Sequence, residues 1–400
     1  MIHRRTLLIG TAGLAAGSVL SGCSSATGEK ALNVTLLEGA IPSEVIQAFR
    51  KQASSTVDFQ VRARMYSIFQ QLQRWQRSSE KSESSWNRFL PWINAEELPK
   101  PHNLVSLGDY WLQSAIAQNL IEPLPLTPET LEPLPIQWQQ FVSRNTQGRI
   151  PATSESSSSP ASFFWAAPYK VQSLVIVYRQ QSNQPTFETW ADLLSPTLKG
   201  QIALPDHPNL VLGLLQKMQT DSFNTRFDSQ ANSSASTAQL VGQLSEQLTE
   251  PFRQLNQQVR TYDSRTALKA LVNEDLKAIV TWSGDVVTAL QRYRSLRAVV
   301  PEAGSLLSAD MWVRPKGAQV NEQTKAWIDF CWQPGPATQL SSSGAGISPV
   351  FLTGDALPET LASGRLSEVT LKNSEPLLPL PEAMQTAYFE LWQQLRSQTA

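Results

Sequence analysis

Four times along the 400-residue chain a short apolar run ends in a loop bearing glycine or proline and gives way to helical periodicity. The stretches are "ALNVTLLEGAIPSEVIQAFRKQ" from Ala31, "NLVSLGDYWLQSAIAQNL" from Asn103, "QIALPDHPNLVLGLLQKM" from Gln201 and "KAIVTWSGDVVTALQRY" from Lys277. Apolar strands that alternate with amphipathic helices build α/β sheets, and the connecting loops gather at the carboxyl ends of the strands, where ligands bind in open sheets. A chain of this length divides into two or three lobes. In the first repeat Ser43 is expected to cap the helix, with Glu44 in its first turn.

The N-terminal "MIHRRTLLIGTAGLAAGSVLSGC" places two arginines before an apolar run and small residues. This reads as an export leader over residues 1–22, since the run from Thr6 to Gly22 is broken by glycines and short of the roughly 20 apolar residues of a spanning helix. Leu20-Ser21-Gly22-Cys23 resembles a bacterial lipobox, which implies cleavage before Cys23, lipid on its thiol and anchorage to the membrane. Arg4-Arg5 with Thr6-Leu7-Leu8 matches part of a twin-arginine signal, so the twin-arginine and general secretory routes both stay open. Residues 23–30 are then the lipidated cysteine and a polar tether. Cys331 is the one other cysteine, so no intramolecular disulfide is expected, and its setting in "AWIDFCW" predicts a packed core residue.

The 33 basic and 34 acidic side chains nearly cancel, giving no field for nucleic acid, so a partner must be recognised at a local site. Three polar stretches, 77–86, 153–160 and 228–239, read as surface loops. The histidines are His3, His102 and His207, and neither zinc-ligand spacing nor a nucleophile elbow or Walker loop is present. No metal site or cofactor is expected. "SSSGAGISP" (341–349) reads as a plain loop rather than a phosphate cradle, and paired carboxylates for glycoside hydrolysis are not singled out.

The strand ends carry acids and aromatics. Trp282 and Asp285 flank the exit "WSGD", Asp109, Tyr110 and Trp111 follow Gly108, and Asp206 with Asn209 fill the turn "PDHPN". Each corner alone fits a helix cap beside a packed ring. Together they fit a ligand site in which an indole face and carboxylates favour a cation.

"FETWADLLSPTLKGQIALPDHPNLVLGLLQKM", "KAIVTWSGDVV", "VVPEAGSLLSADMWVRPKGA", "AWIDFCWQP" and "GAGISP" resemble, in order, the motifs of bacterial solute-binding proteins of ABC transporters, and more narrowly of the polyamine (spermidine/putrescine) branch. The resemblance implies an α/β, two-lobe, type II periplasmic-binding-protein-like fold with a ligand cleft between the lobes. It implies a monomeric periplasmic receptor, not an enzyme, that delivers a small organic cation to ABC permease subunits. The lobes are expected at 31–143 plus 286–330 and at 163–282 plus 335–400, with crossings near 143–168 and Ser283–Asp285. The resemblance places Tyr110, Asp206, Trp282, Asp285 and Gln339 at ligand-contacting positions. This chain departs from the pattern at Leu37-Glu38-Gly39-Ala40, at Asn209 and at Ser308, where the family has aromatics or an acid. Glu38, Asp109 and Asp310 are candidates to restore negative charge. A receptor for another solute (a metal chelate, a vitamin or an anion) and an exported carboxylate-dependent hydrolase are the alternative readings.

Overall fold

The computed structural model describes residues 31–83, 100–150, 162–180, 186–224, 237–343, 346–352, 366–380 and 382–397. The leader, Cys23 and the stretch 153–160 lie outside the described residues. The chain begins with β1 (Leu32–Leu37), α1 (Ser43–Gln52), β2 (Val57–Arg62), α2 (Met65–Glu83), β3 (Leu104–Gly108) and α3 (Asp109–Ala117). A 14-residue strand, β4 (Ala166–Arg179), leads to β5 (Ile202–Leu204), α4 (Pro208–Thr220), α5 (Thr237–Asn256), β6 (Val259–Tyr262) and α6 (Ala267–Val272). Then come β7 (Ala278–Trp282), α7 (Ser283–Arg292), β8 (Leu296–Val299), β9 (Leu306–Pro315), α8 (Glu322–Trp332), α9 (Pro334–Ser342) and α10 (Glu382–Ser397). All four expected strand-to-helix corners are present.

β1 lies parallel between β2 and β3, and β5 lies parallel between β6 and β7. Two antiparallel strands join these halves into one sheet. Residues 166–173 of β4 pair with β9, and residues 174–178 pair with β7. The handover between Ser173 and Leu174 is the boundary between lobes, later than the crossing expected near 143–168, because Trp165 to Val171 still pack in the first lobe's core. β9 crosses back at the same level, with Leu306 in the second lobe's core and Leu307 in the first lobe's.

Local chemistry accounts for the helices. In α1, Val45 and Phe49 form the buried stripe, Glu44 lies in the first turn and Arg50 and Lys51 in the last, matching the helix dipole. Its N-cap is Pro42, with Ser43 already helical, which corrects the expected cap. Residues 77–83 continue α2 and 237–239 open α5, so these parts of the polar stretches are helix rather than loop. Trp327 packs on Phe49 at 4.9 Å and on Trp312 at 5.6 Å, and Trp312 stacks on Tyr169 at 4.3 Å, fixing α1 and α8 to the first lobe. Cys331 is fully buried in this core.

The lobe boundaries differ from expectation. Val286, Ala289 and Leu296 pack with Val175, Val177 and Ile279, so α7 and β8 stay with the second lobe and the crossing is at Leu306–Leu307 rather than Ser283–Asp285. The physical reason is that a helix leaving β7 buries its apolar stripe on the sheet it has just left. Leu340, Leu352, Leu366 and Leu371 belong to the first lobe's core. Beyond residue 335 it is α10 that joins the second lobe, through Met384, Tyr388, Leu391 and Trp392 packed with α5.

Candidate functional site

The pairing registers aim the parallel strands of both lobes at the boundary. Gly108, the last residue of β3, is opposite Asp310 of β9, and Trp282, the last of β7, is opposite Leu174 of β4. Tyr110 follows on the first lobe, and Asn209 of α4 approaches its hydroxyl from the second, holding down a pKa that burial raises. The two sets of carboxyl-end corners therefore face each other across a cleft.

On the second lobe Trp282 is the N-cap of α7 and packs partly on the core. Asp285 lies in the first helical turn, at the positive end of the helix dipole, but its side chain does not cap. Its carboxylate is exposed, accepts from Thr281 Oγ1 at 3.3 Å, and has its pKa raised by partial desolvation. No ion pair satisfies it among the described residues. An indole and an unmatched carboxylate at one corner suit an ammonium.

The first lobe's wall is buried and charge-balanced. Asp109 is 4% exposed; Ser308 Oγ donates to its Oδ1 at 3.0 Å, while Oδ2 has no hydrogen-bond partner among the described residues. Burial pushes its pKa up to about 7, against the Ser308 hydroxyl and the N–H groups of Ala309 and Tyr110. Asp310 is raised by burial to about 6, held back by the charge of Lys170. Lys170 is 1% exposed, donates from Nζ to the Ala40 carbonyl at 2.6 Å and is lowered by burial to about 8. Arg144, also buried, donates to the carbonyls of Phe141 and Gly148 at 2.9 and 3.0 Å, and burial lowers it to about 10 against the attraction of Asp109.

Residues 100–368, two thirds of the chain, match the family of bacterial extracellular solute-binding proteins. The chain belongs to this family. As a bacterial extracellular solute-binding protein it binds a solute outside the cytoplasm, and it is not an enzyme. Its two-domain architecture is the type II periplasmic-binding-protein-like fold. It is similar to the spermidine/putrescine ABC transporter substrate-binding protein of Streptococcus pneumoniae, at 18% identity and a TM-score of 0.72 over 93% of this chain and all of that one. It also resembles a spermidine/putrescine ABC transporter protein of Listeria monocytogenes (19%, 0.60, 92% and 98% covered) and a Bordetella ferric binding protein (11%, 0.55, 92% and 99% covered). No curated protein matches it by sequence.

Within this solute-binding protein the other expected contact residues are spread more widely. Asp206 is exposed and ion-paired to Arg396 of α10 at 3.1 Å, where Pro208, Phe389, Trp392 and Gln393 line a surface cavity with it. Its carboxylate is thus already matched. Gln339 is exposed on α9, and no hydrogen bond joins it to the other contact residues among those described. Glu38 is exposed just beyond β1, its N–H bonded to the Arg62 carbonyl at 2.9 Å.

Sequence reasoning passed over three groups at this edge. Lys170 and Arg144 sit in "PYKVQ" and "FVSRN", where only burial marks them as more than surface bases. Tyr66, 56% exposed at the start of α2, lies 6.3 Å from the Trp111 ring, which meets Tyr110 edge-on at 6.1 Å. An aromatic row from the β2 corner accompanies the aliphatic β1 corner. Gly346 is the remaining signal. Its φ of +122° and a would-be Cβ 2.8 Å from the Val171 carbonyl admit only glycine, and this lets Ile347 pair with Val171 over Lys170.

Proposed function

We propose that this protein is a lipid-anchored receptor that takes a small, polyamine-like organic amine with one or two ammonium groups into the interlobe cleft and passes it to the permease. The observation that carries the reading is Asp285, an acid at the carboxyl end of β7 beside the Trp282 indole, with no cation paired to it among the described residues. A desolvated ammonium needs a carboxylate and gains from a ring face. The structural likeness to proteins described as spermidine/putrescine-binding supports the same class, and Tyr66, Tyr110 and Trp111 form an aromatic row on the first lobe. Anchorage through Cys23 rests on the lipobox-like Leu20-Ser21-Gly22-Cys23.

The test is a thermal-shift and calorimetric panel on the full chain in detergent, with putrescine, cadaverine and spermidine against thiamin, ferric citrate and phosphate. A ligand specific for the native state raises the melting temperature by mass action. Stabilisation by a short amine supports the reading; stabilisation by one of the other solutes alone overturns it.

A further inference from the structure

The first lobe's side of the cleft already contains a cation. Lys170 is 1% exposed, and lysines are almost never fully buried unless paired. Its Cα partner across β4 and β9 is Asp310, whose other neighbour is Gly108 at the carboxyl end of β3. Its ammonium is tied to the carbonyl of Ala40, just beyond the carboxyl end of β1. The charge therefore stands at the strand ends where an α/β sheet receives its ligand. Each partner feels the other: Asp310 holds the lysine pKa up and Lys170 holds the aspartate down. Asp109 likewise holds up the pKa of Arg144 against burial.

The two walls consequently differ in charge. Across the cleft Asp285 has no matching cation among the described residues, whereas the first lobe sets two bases against two acids. An ammonium entering beside Asp285 and Trp282 finds a counter-charge. A second ammonium reaching Asp310 and Asp109 loses water and finds acids already set against Lys170 and Arg144, while Glu38 stands exposed in the loop beyond β1.

We propose that Lys170 is a resident ammonium standing in for a second ligand ammonium, so that the site selects ligands with one ammonium and an uncharged far end over diamines of equal length. The inference rests on the amine reading above and narrows it. Lys170 is a positioning residue, since it is sealed from the cleft and acts through Asp310. Gly346 keeps it so, because any side chain there would press on Lys170 Cγ at 3.1 Å.

Calorimetry on the full chain with 5-amino-1-pentanol and 1,5-diaminopentane tests it. The parent is expected to bind the amino alcohol at least tenfold tighter. In Lys170→Met, which keeps the apolar stem, diamine affinity should rise at least tenfold while the amino alcohol changes less than threefold. Diamine binding to that variant should also release protons as Asp310 ionises, read as heats that differ between buffers. A purely structural lysine would move both ligands together. A parent that prefers the diamine overturns the inference whatever the variants do, and so does an unmoved ratio in Lys170→Met, or in Lys170→Gln should the first not fold. Binding of neither amine by the parent removes the amine reading and this inference with it; binding of both with the ratio unmoved removes the inference alone.

Discussion

Ser173 donates its backbone N–H to the Oγ of Ser283 at 3.0 Å, at the residue where β4 leaves β9 for β7. Both residues are buried. One residue on, the carbonyl of Leu174 accepts from Ser305 Oγ at 2.6 Å. At the handover between lobes two buried serines, Ser283 and Ser305, thus bond the backbone of consecutive residues.

Ser283→Ala should leave the Ser173 N–H unsatisfied in a buried position and cost about 1–3 kcal/mol of stability. Chemical denaturation measures it. Because the lost bond joins the lobes at their hinge, the variant should also alter ligand-driven compaction seen by small-angle scattering. Unchanged stability would show that Ser283 only fills space.

Asp285→Ala should weaken amine binding by about 2–5 kcal/mol, much of it from leaving the ligand charge unpaired. Trp282→Ala and Tyr66→Ala should each cost roughly 1–2 kcal/mol through loss of a ring face. Asp206→Ala should cost less than Asp285→Ala, because Arg396 already neutralises that carboxylate. Calorimetry ranks the four, and an Asp285→Ala variant that binds as well as the parent would refute the site.

Asp109 makes stability depend on pH in a definite direction. Its folded pKa of about 7 exceeds the unfolded carboxylate value of about 3.9, so between these limits the folded state holds a proton that the unfolded state lacks. Stability contributed in the protonated form is present at low pH and lost as pH rises through that window. At about 1.36 kcal/mol per pH unit the loss is about 4 kcal/mol. Asp310 acts in the same direction up to about pH 6. Melting between pH 4 and 8 should show Asp109→Asn with a markedly shallower decline, and a slope equal to the parent's would contradict the assignment.

Cys23→Ala should move the protein from the membrane fraction to soluble or uncleaved forms, followed by fractionation and immunoblotting. An unchanged distribution would rule out the lipid anchor.

How much was legible in the sequence varies with the range of the interaction involved. The four strand-to-helix corners, the α/β class and the burial of Cys331 follow from local patterns of apolar residues, because a strand or helix must bury the side of itself that its own sequence makes apolar. The acids and aromatics at Gly108 and Gly284 were visible for the same reason, since a corner's residues are neighbours in sequence.

Long-range pairing decided the rest. Nothing local states that β4 exchanges β9 for β7 after Ser173, so the crossing was expected at Asp285 although β9 makes it at Leu306. Asp206 reads in sequence like Asp285, yet Arg396, at the far end of the chain, reaches one and not the other. Lys170, Ala40 and Asp310 are distant in sequence and become one electrostatic unit only when β4, β9 and the loop after β1 meet. Composition and periodicity report what a residue does to its own element. The charge a ligand meets depends on which elements are brought together, and tertiary packing alone sets that.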